Sequence, residues 1–531
     1  MSDKKVTLTI NGKKVEVPAG TSVFNAAAEG GVEIPHYCYH PDLSVAGVCR
    51  MCMVEIENNP RLQISCNTQA TEGMVVRTDT EKVKDTVKNV LELHLINHPL
   101  DCPICDKAGE CKLQDFYADY GLYESRMDYE KVHKPKVQDL GTIVLDSERC
   151  ILCSRCVRFT NEITKTNELG IFNRGDRSVL GSVDNQPLRN EYTGNLADIC
   201  PVGALTAKDF RFKQRVWFLD KTKTVCTLCA HGCNTTVSKN PSTQKLFRIE
   251  PRRNPDINQS WICDRGRWDF HYVHDQNRIT APLRWQDGQW TEQTWHAFFG
   301  VVGEEIKSQG KSCLVALSTQ MTNEELTDAV LNFKSLGVQD FTWVVDEKAA
   351  AERTAFDGLL KHRDLTPNAQ GFEKVMQTLQ VKWLRTGQAQ DKLKGKQWSR
   401  LIVLGLEGYE MPGLGELLLA TPATTNIVLH ATSQCAFVEK CEWLIPNVSA
   451  YEKSGTLINA QGKLQRLRAS VPRQFLARDV HQVAWGLSQQ SDRKPLSHMH
   501  VQETFKTQLS EKWLGKAYEW KSFPEGTQVL K

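Results

Sequence analysis

Hydrophobic and polar positions alternate from the first residues of the chain. Val6, Leu8 and Ile10 face one way, Asn11-Gly12 has the composition of a type I′ turn, and Val15 and Val17 return, which predicts a β-hairpin. A short helix is expected over residues 21–29. Between residues 81 and 97 the period lengthens, with Val83, Val87, Val90, Leu91, Leu93 and Leu95 among the apolar positions. Pro99 ends that helix, since it has no N–H to give to the preceding turn. In the second half, "CLVALST" and "LIVLGL" read as buried strands. Between them residues 322–336 read as a helix, with a Thr322/Glu325 capping box at its start and Gly337 at its end. Strands alternating with helices predict an α/β domain with a mostly parallel sheet. The apolar runs are short, Leu401 to Leu404 being typical, so none is expected to cross a bilayer.

Composition changes this picture only through cysteine. The 531 residues suggest three or four domains, and 40% hydrophobic with 24% charged residues is ordinary for a soluble globular protein. A net charge of +3 is too mild to argue for nucleic acid. Of the 18 cysteines, however, 15 lie before residue 264, clustered around C-x2-C pairs. No secretory segment opens the sequence, so a reducing compartment is expected, and there such pairs read as metal sites rather than disulfides.

The cysteines fall into four groups. Cys38, Cys49, Cys52 and Cys66 are spaced C-x10-C-x2-C-x13-C, the order used by plant-type 2Fe–2S ferredoxins with a longer first gap. Ala46 and Gly47 are small enough to let backbone N–H groups approach the sulfurs. The second group, Cys102, Cys105 and Cys111, is one thiolate short of four. His98, at the helix end leading into this loop, is favoured as the fourth ligand over His94 one turn earlier, and the set suits a 4Fe–4S cluster. In the third group, Cys150, Cys153 and Cys156 follow the bacterial ferredoxin spacing, but Thr160 stands where the next cysteine would be. Cys200, followed by Pro201, supplies the remaining thiolate. The fourth group is Cys226, Cys229, Cys233 and Cys263, where 4Fe–4S is a better reading than a zinc ribbon with two C-x2-C knuckles. Arg252, Arg253, Arg265 and Arg267 lie near it in sequence and would raise its potential unless they are solvated surface. Structural zinc is the alternative at the first, third and fourth groups.

Residues 1 to about 275 resemble the large iron–sulfur subunit of the peripheral arm of bacterial respiratory complex I, the proton-pumping NADH:quinone oxidoreductase. The resemblance implies a multidomain α+β and α/β chain. It implies a β-grasp 2Fe–2S domain over 1–80, a 4Fe–4S domain held by one histidine and three cysteines over 81–120, and a ferredoxin-like 4Fe–4S domain over 121–215. A 4Fe–4S domain of the molybdopterin-oxidoreductase type follows over 216–275. In order, the four groups would carry one 2Fe–2S and three 4Fe–4S clusters, with His98 as the histidine ligand. The family further implies that the fourth cluster lies off the main electron path and occurs in some bacterial members.

Residues 276–490 resemble the catalytic chains of molybdenum–pterin oxidoreductases, most clearly in "YEKSGTLINAQGKLQ" from Tyr451, with 491–531 left as a tail. The length is too small to enclose two pterins, and Cys313, Cys435 and Cys441 are scattered and read as structural. No molybdopterin is therefore expected. No G-x-G-x-x-G follows a strand ("GLEGYEMPG" at 405–413 is too weak a match) and no P-loop appears, so neither nicotinamide nor flavin is expected to bind here. No catalytic residue stands out. The expected function is electron transfer, from a flavoprotein (NADH/FMN) partner through these clusters and other iron–sulfur subunits towards quinone. The chain is expected on the cytoplasmic side of the bacterial inner membrane, peripheral, and reaching the membrane arm through partners. The alternative host is a soluble NAD-linked hydrogenase or formate dehydrogenase.

Overall fold

The structure, a computed structural model, describes residues 4–121, 124, 126, 128, 130–134, 137–407, 413–434, 438–489 and 528–529. The chain divides into two compact units, 1–219 and 220–531.

The first unit begins with the hairpin read from the alternation. Lys5–Ile10 and Lys13–Pro18 pair antiparallel with Val6 opposite Val17 and Leu8 opposite Val15, and Asn11 and Gly12 both take left-handed φ. Val75–Arg77 pairs parallel with the first strand, and Met53–Ile56 and Gln63–Ile64 complete a five-stranded mixed sheet. The helix Val23–Glu29, capped by the Ser22 hydroxyl on the Asn25 N–H, buries Val23, Ala26 and Ala27 against it. The helix Glu81–Leu95 starts at a Thr80 cap and buries Val83, Val87 and Leu91. It stops two residues before Asn97, and His98 N–H closes the last turn onto Leu95 O at 3.2 Å. Beyond it come the helix Lys112–Tyr120, a small antiparallel sheet of Gln138–Asp139, Ile143–Leu145 and Leu205–Ala207, and a helix Arg155–Arg158 that widens into a π turn over Phe159–Ile163.

The second unit opens with three antiparallel strands, Asp220–Val225, Asn234–Lys239 and Leu246–Pro251. A seven-stranded sheet follows. Its parallel part runs in the order Trp443–Pro446, Asn426–Ala431, Arg400–Leu406, Cys313–Ser318, Asp340–Val344. The strands are mostly apolar because both faces are covered. Val315, Leu317, Ile402 and Leu404 pack with Phe298, Phe333 and Phe372, while Leu314, Ala316, Leu401 and Val403 pack with Leu393, Leu417 and Leu418. The helix Asn323–Ser335 has both bonds of the Thr322/Glu325 capping box, and Gly337 follows it at φ +89°. Cys313 and Cys441 are buried, Cys441 within the apolar core that also holds Leu314 and Leu401. Cys435 and residues 408–412 lie outside the described residues, as does the tail except Gln528–Val529, which pairs with Lys463–Leu467. Among the described residues no helix is long and apolar enough to cross a membrane.

Candidate metal centres

Each cysteine group is assembled by turns that aim backbone N–H groups at sulfur. In the first, Cys52 and Cys66 flank the short hairpin of Met53–Ile56 and Gln63–Ile64, and Ser65 N–H and Oγ both donate to Cys52 O at 2.9 Å. The thiols pair, Cys49 with Cys38 and Cys66 with Cys52. The Cys49 thiol, with the backbone N–H groups of Val48 and Cys49, draws Cys38 down to about 5 against its burial, while Cys49 itself is pushed up by the same thiol contact and by burial. Cys52 falls to about 7 through the Cys66 contact. The Val48 donor follows Gly47, whose φ of +63° makes the turn. His94, the rival to His98, belongs here: its Nε2 lies 3.3 Å from Cys49 O and its ring stands edge-on to Tyr37.

His98, Cys102, Cys105 and Cys111 line one cavity of about 720 Å³. His98 Nδ1 is buried with no hydrogen-bond partner, and burial, then Lys131 and Arg149, hold its imidazole down at about 4, in the neutral form that binds metals. Cys111 precedes the helix Lys112–Tyr120, whose Leu113 and Gln114 N–H groups face its thiol. Cys102 is exposed. Gly203 presses against this site: a Cβ there would sit 2.1 Å from Cys105 Sγ.

Cys150, Cys153, Cys156 and Cys200 likewise surround one small cavity, walled by Ile151, Leu180, Val202 and Leu205. Leu152 and Ser154 take left-handed φ of 53° and 61°, which bends the loop around the cavity, and Leu152 N–H donates to Cys150 Sγ at 3.4 Å. Such conformations strain a residue with a side chain and collect at functional sites. Burial pushes Cys150 up to about 12 and Cys153 to about 11. Thr160, in the place of a cysteine, spends its hydroxyl on Val157 O at 3.0 Å.

In the second unit, Cys226 follows one strand and Cys233 precedes the next, with Cys226 N–H donating to Cys233 O at 2.8 Å. Cys263 caps the helix Asp264–Trp268, accepting from Gly266 N–H at 3.4 Å, and a Cβ on Gly266 would lie 3.2 Å from Cys226 Sγ. The loop between is gripped by the segment after Tyr451. Asn459 donates to His231 O at 3.0 Å, Gln465 to Gly232 O at 2.7 Å and Ala460 N–H to Ala230 O at 2.7 Å. Of the nearby arginines, Arg265 acts on the Cys226 thiol, whereas Arg252 is spent on Asn234 and Arg267 on Ile249 O.

Among the described residues no three His, Cys, Asp or Glu side chains converge as a single-ion site requires. In the second and third groups the ligand atoms surround space instead, and that arrangement fits a polynuclear cluster whose irons each take one protein ligand.

Sequence reasoning missed the residues that tie the first three groups together. Arg158, two residues after Cys156, donates to Cys38 O and Ser44 O, and Arg155 bridges Tyr39 O and Ile199 O. Glu162 accepts from Ser44 N–H at 2.8 Å. Arg149, next to Cys150, lines the cavity of the second group and pairs with Asp101 at 3.0 Å and Asp146 at 3.2 Å. Lys112 N–H donates to Pro201 O at 3.0 Å. The arginine-flanked "SRC" motif was the only signal available, and it reads equally as surface. Also missed was Lys453, buried between Glu407 at 2.8 Å and Glu325 at 3.2 Å.

Four family models match, covering the four groups in turn. They are a 2Fe-2S iron-sulfur cluster binding domain at 3–81, the NADH-ubiquinone oxidoreductase-G iron-sulfur binding region at 88–126, the ferredoxin-like domain of NADH-quinone oxidoreductase subunit 3 at 141–206, and the NDSU1/NuoG-like 4Fe-4S domain at 219–271. The chain is 41% identical over 294 residues to the NADH-quinone oxidoreductase G subunit of Streptomyces coelicolor, covering 55% of this chain and 35% of that protein. It is 37% identical over 356 residues to subunit 3 of the Thermus thermophilus enzyme, covering 60% and 45%. It is 37% identical over 359 residues to the mitochondrial 78 kDa subunit of Candida albicans NADH-ubiquinone oxidoreductase, covering 66% and 49%. The chain thus spans about half or less of the length of these curated relatives. A crystal structure of an NAD+-reducing [NiFe]-hydrogenase in the H2-reduced state is 31% identical, with a TM-score of 0.37, over 40% of this chain and 91% of that one. So low a TM-score carries no argument.

Proposed function

We propose that the chain is a member of the family of the G subunit of NADH-quinone oxidoreductase, which its four iron–sulfur domains match in turn, and that it is the electron-relay subunit of such a complex. When bound, iron–sulfur clusters supply one-electron carriers that accept from a flavoprotein partner oxidising NADH and pass electrons on towards quinone. The observation that carries the reading is the joining of the first three groups by Arg149, Arg155, Arg158 and the Cys200–Gly203 turn, since a relay needs its centres held close and fixed.

In this reading Cys38, Cys49, Cys52 and Cys66 hold a 2Fe–2S cluster. His98, Cys102, Cys105 and Cys111 hold a 4Fe–4S cluster, as do Cys150, Cys153, Cys156 and Cys200, and Cys226, Cys229, Cys233 and Cys263. The chain's own work is to orient these ligands, keep the imidazole of His98 neutral, and exclude water with Ile151, Leu180 and Val202. The fourth group acts mainly as a clasp, because its loop is held by Asn459 and Gln465 of the α/β region.

The α/β region carries no pterin in this proposal. In its parallel sheet the first strand, Cys313–Ser318, lies between the second and the third, so the crevice at their carboxyl ends is where ligands of such sheets bind. Among the described residues Gln320, Glu325, Glu407 and Lys453 meet there, Gln320 accepting from the Glu407 N–H at 2.5 Å. The protein would sit peripherally on the cytoplasmic side of the membrane, carried there by partner subunits. Native tagged purification from detergent-solubilised membranes tests this: a flavoprotein and hydrophobic membrane subunits should co-purify. A soluble assembly with a hydrogenase or formate-oxidising chain would leave the ligands standing and overturn the respiratory role.

A further inference from the structure

Tyr37 stands between two of the cysteine groups and has nothing for its hydroxyl to do. The residue is 0% exposed, and its hydroxyl oxygen is buried with no hydrogen-bond partner. Its backbone N–H already serves the first group, donating to Cys49 Sγ at 3.5 Å. The ring packs against the elements that build the second. It stands edge-on to His94 at 5.1 Å between centroids and tilted on Phe116 at 5.5 Å. His94 lies on the helix that leads to His98, and Phe116 on the helix that begins immediately after Cys111. His94 does not compete for the hydroxyl, because its Nε2 faces Cys49 O. A buried hydroxyl left unsatisfied forfeits its hydration and gains nothing in return, so an acceptor is wanted at a position where phenylalanine would pack equally well. Burial keeps the phenol in its proton-bearing form, and the Cys111 and Cys49 thiols, in that order, reinforce this.

We infer that Tyr37 is a positioning residue for the second group, its hydroxyl donating a hydrogen bond to the Cys111 sulfur once that sulfur is a metal-bound thiolate. A thiol accepts weakly and a thiolate well. A donor at a ligand sulfur offsets negative charge and favours the reduced state. The inference rests on the cluster ligands proposed above.

The test is Tyr37→Phe in the full chain, with a redox titration followed by EPR. The 4Fe–4S signal that depends on His98 should shift to lower potential. At the unsubstituted midpoint its reduced-to-oxidised ratio should fall about fivefold, the equivalent of one hydrogen bond. The 2Fe–2S midpoint should stay put, and Tyr39→Phe, whose hydroxyl is used on Asn25 at 2.7 Å, should move neither. An unmoved 4Fe–4S midpoint, or a shift of the 2Fe–2S signal alone, would overturn the inference. Loss of the cluster or of the fold would overturn it as well, since a hydroxyl that only tunes is not needed to hold either. An unsubstituted chain without any His98-dependent 4Fe–4S signal would instead sink the ligand proposal.

Discussion

His98 is the residue on which the second group turns. In the proposed ligand set a histidine in place of a thiolate removes one negative charge from the cluster's surroundings, which would raise its potential in the direction known for Rieske centres. His98→Cys should therefore lower the midpoint and change the spectrum of one 4Fe–4S signal while leaving the other signals alone. An unaltered set of EPR spectra would contradict the assignment. Elsewhere burial holds histidines neutral for purely structural reasons. His430 is fully buried, its Nε2 2.9 Å from Arg478 O, and burial holds it down at about 4. Its folded value is depressed below the usual 6.5, so below about pH 6.5 the unfolded chain takes up a proton that the folded chain refuses. Stability should be lost as pH falls from 6.5 towards 4, by on the order of 2–3 kcal/mol for this group. Unfolding midpoints measured across that range should fall less steeply for His430→Gln. The grouping of the cysteines was legible in the sequence, because their spacing is a local signal, and His98, Cys102, Cys105 and Cys111 do meet at one cavity. Tyr37 and Arg158 were not: each acts on a group far along the chain, and neither differs from ordinary core or surface until the fold brings its target near.

At the scale of elements, two segments do most of the organising. The helix and π turn over 155–163, together with Arg149, reach the first group on one side and the second on the other. The stretch 451–465 grips the fourth group's loop and also sends Lys453 into the sheet's crevice. Buried charges of this kind are costly to leave unpaired. Lys453→Met should destabilise the second unit by about 3–5 kcal/mol, because Glu325 and Glu407 lose their cation. Adding Glu325→Gln and Glu407→Gln should recover most of that loss in chemical denaturation, whereas no recovery would mean that the lysine matters for its shape alone. The hairpin, the capping box and the apolar strands could be read beforehand from period and cap chemistry. The order of the parallel strands could not, since period gives a strand's existence and not its neighbours, and with it went the position of the crevice. The motif after Tyr451 was singled out only by resemblance, and its three contacts with the cysteine loop join residues more than two hundred positions apart.

For the molecule as a whole, the first unit holds three cysteine groups, where the proposed relay would lie, and the second pairs a lone cysteine group with a large α/β body. That division agrees with a chain whose first three centres work together while the fourth holds structure. The measurement that tests this most directly is EPR of the anaerobically purified full chain during stepwise reduction, with metal content, for the unsubstituted protein and for Cys226→Ser. The account predicts one 2Fe–2S and three 4Fe–4S signals, about 14 iron atoms per chain. It predicts that Cys226→Ser removes one 4Fe–4S signal and lowers stability while the other three signals and their midpoints persist. Zinc in place of iron at any group, or disturbance of the first three signals by Cys226→Ser, would contradict it.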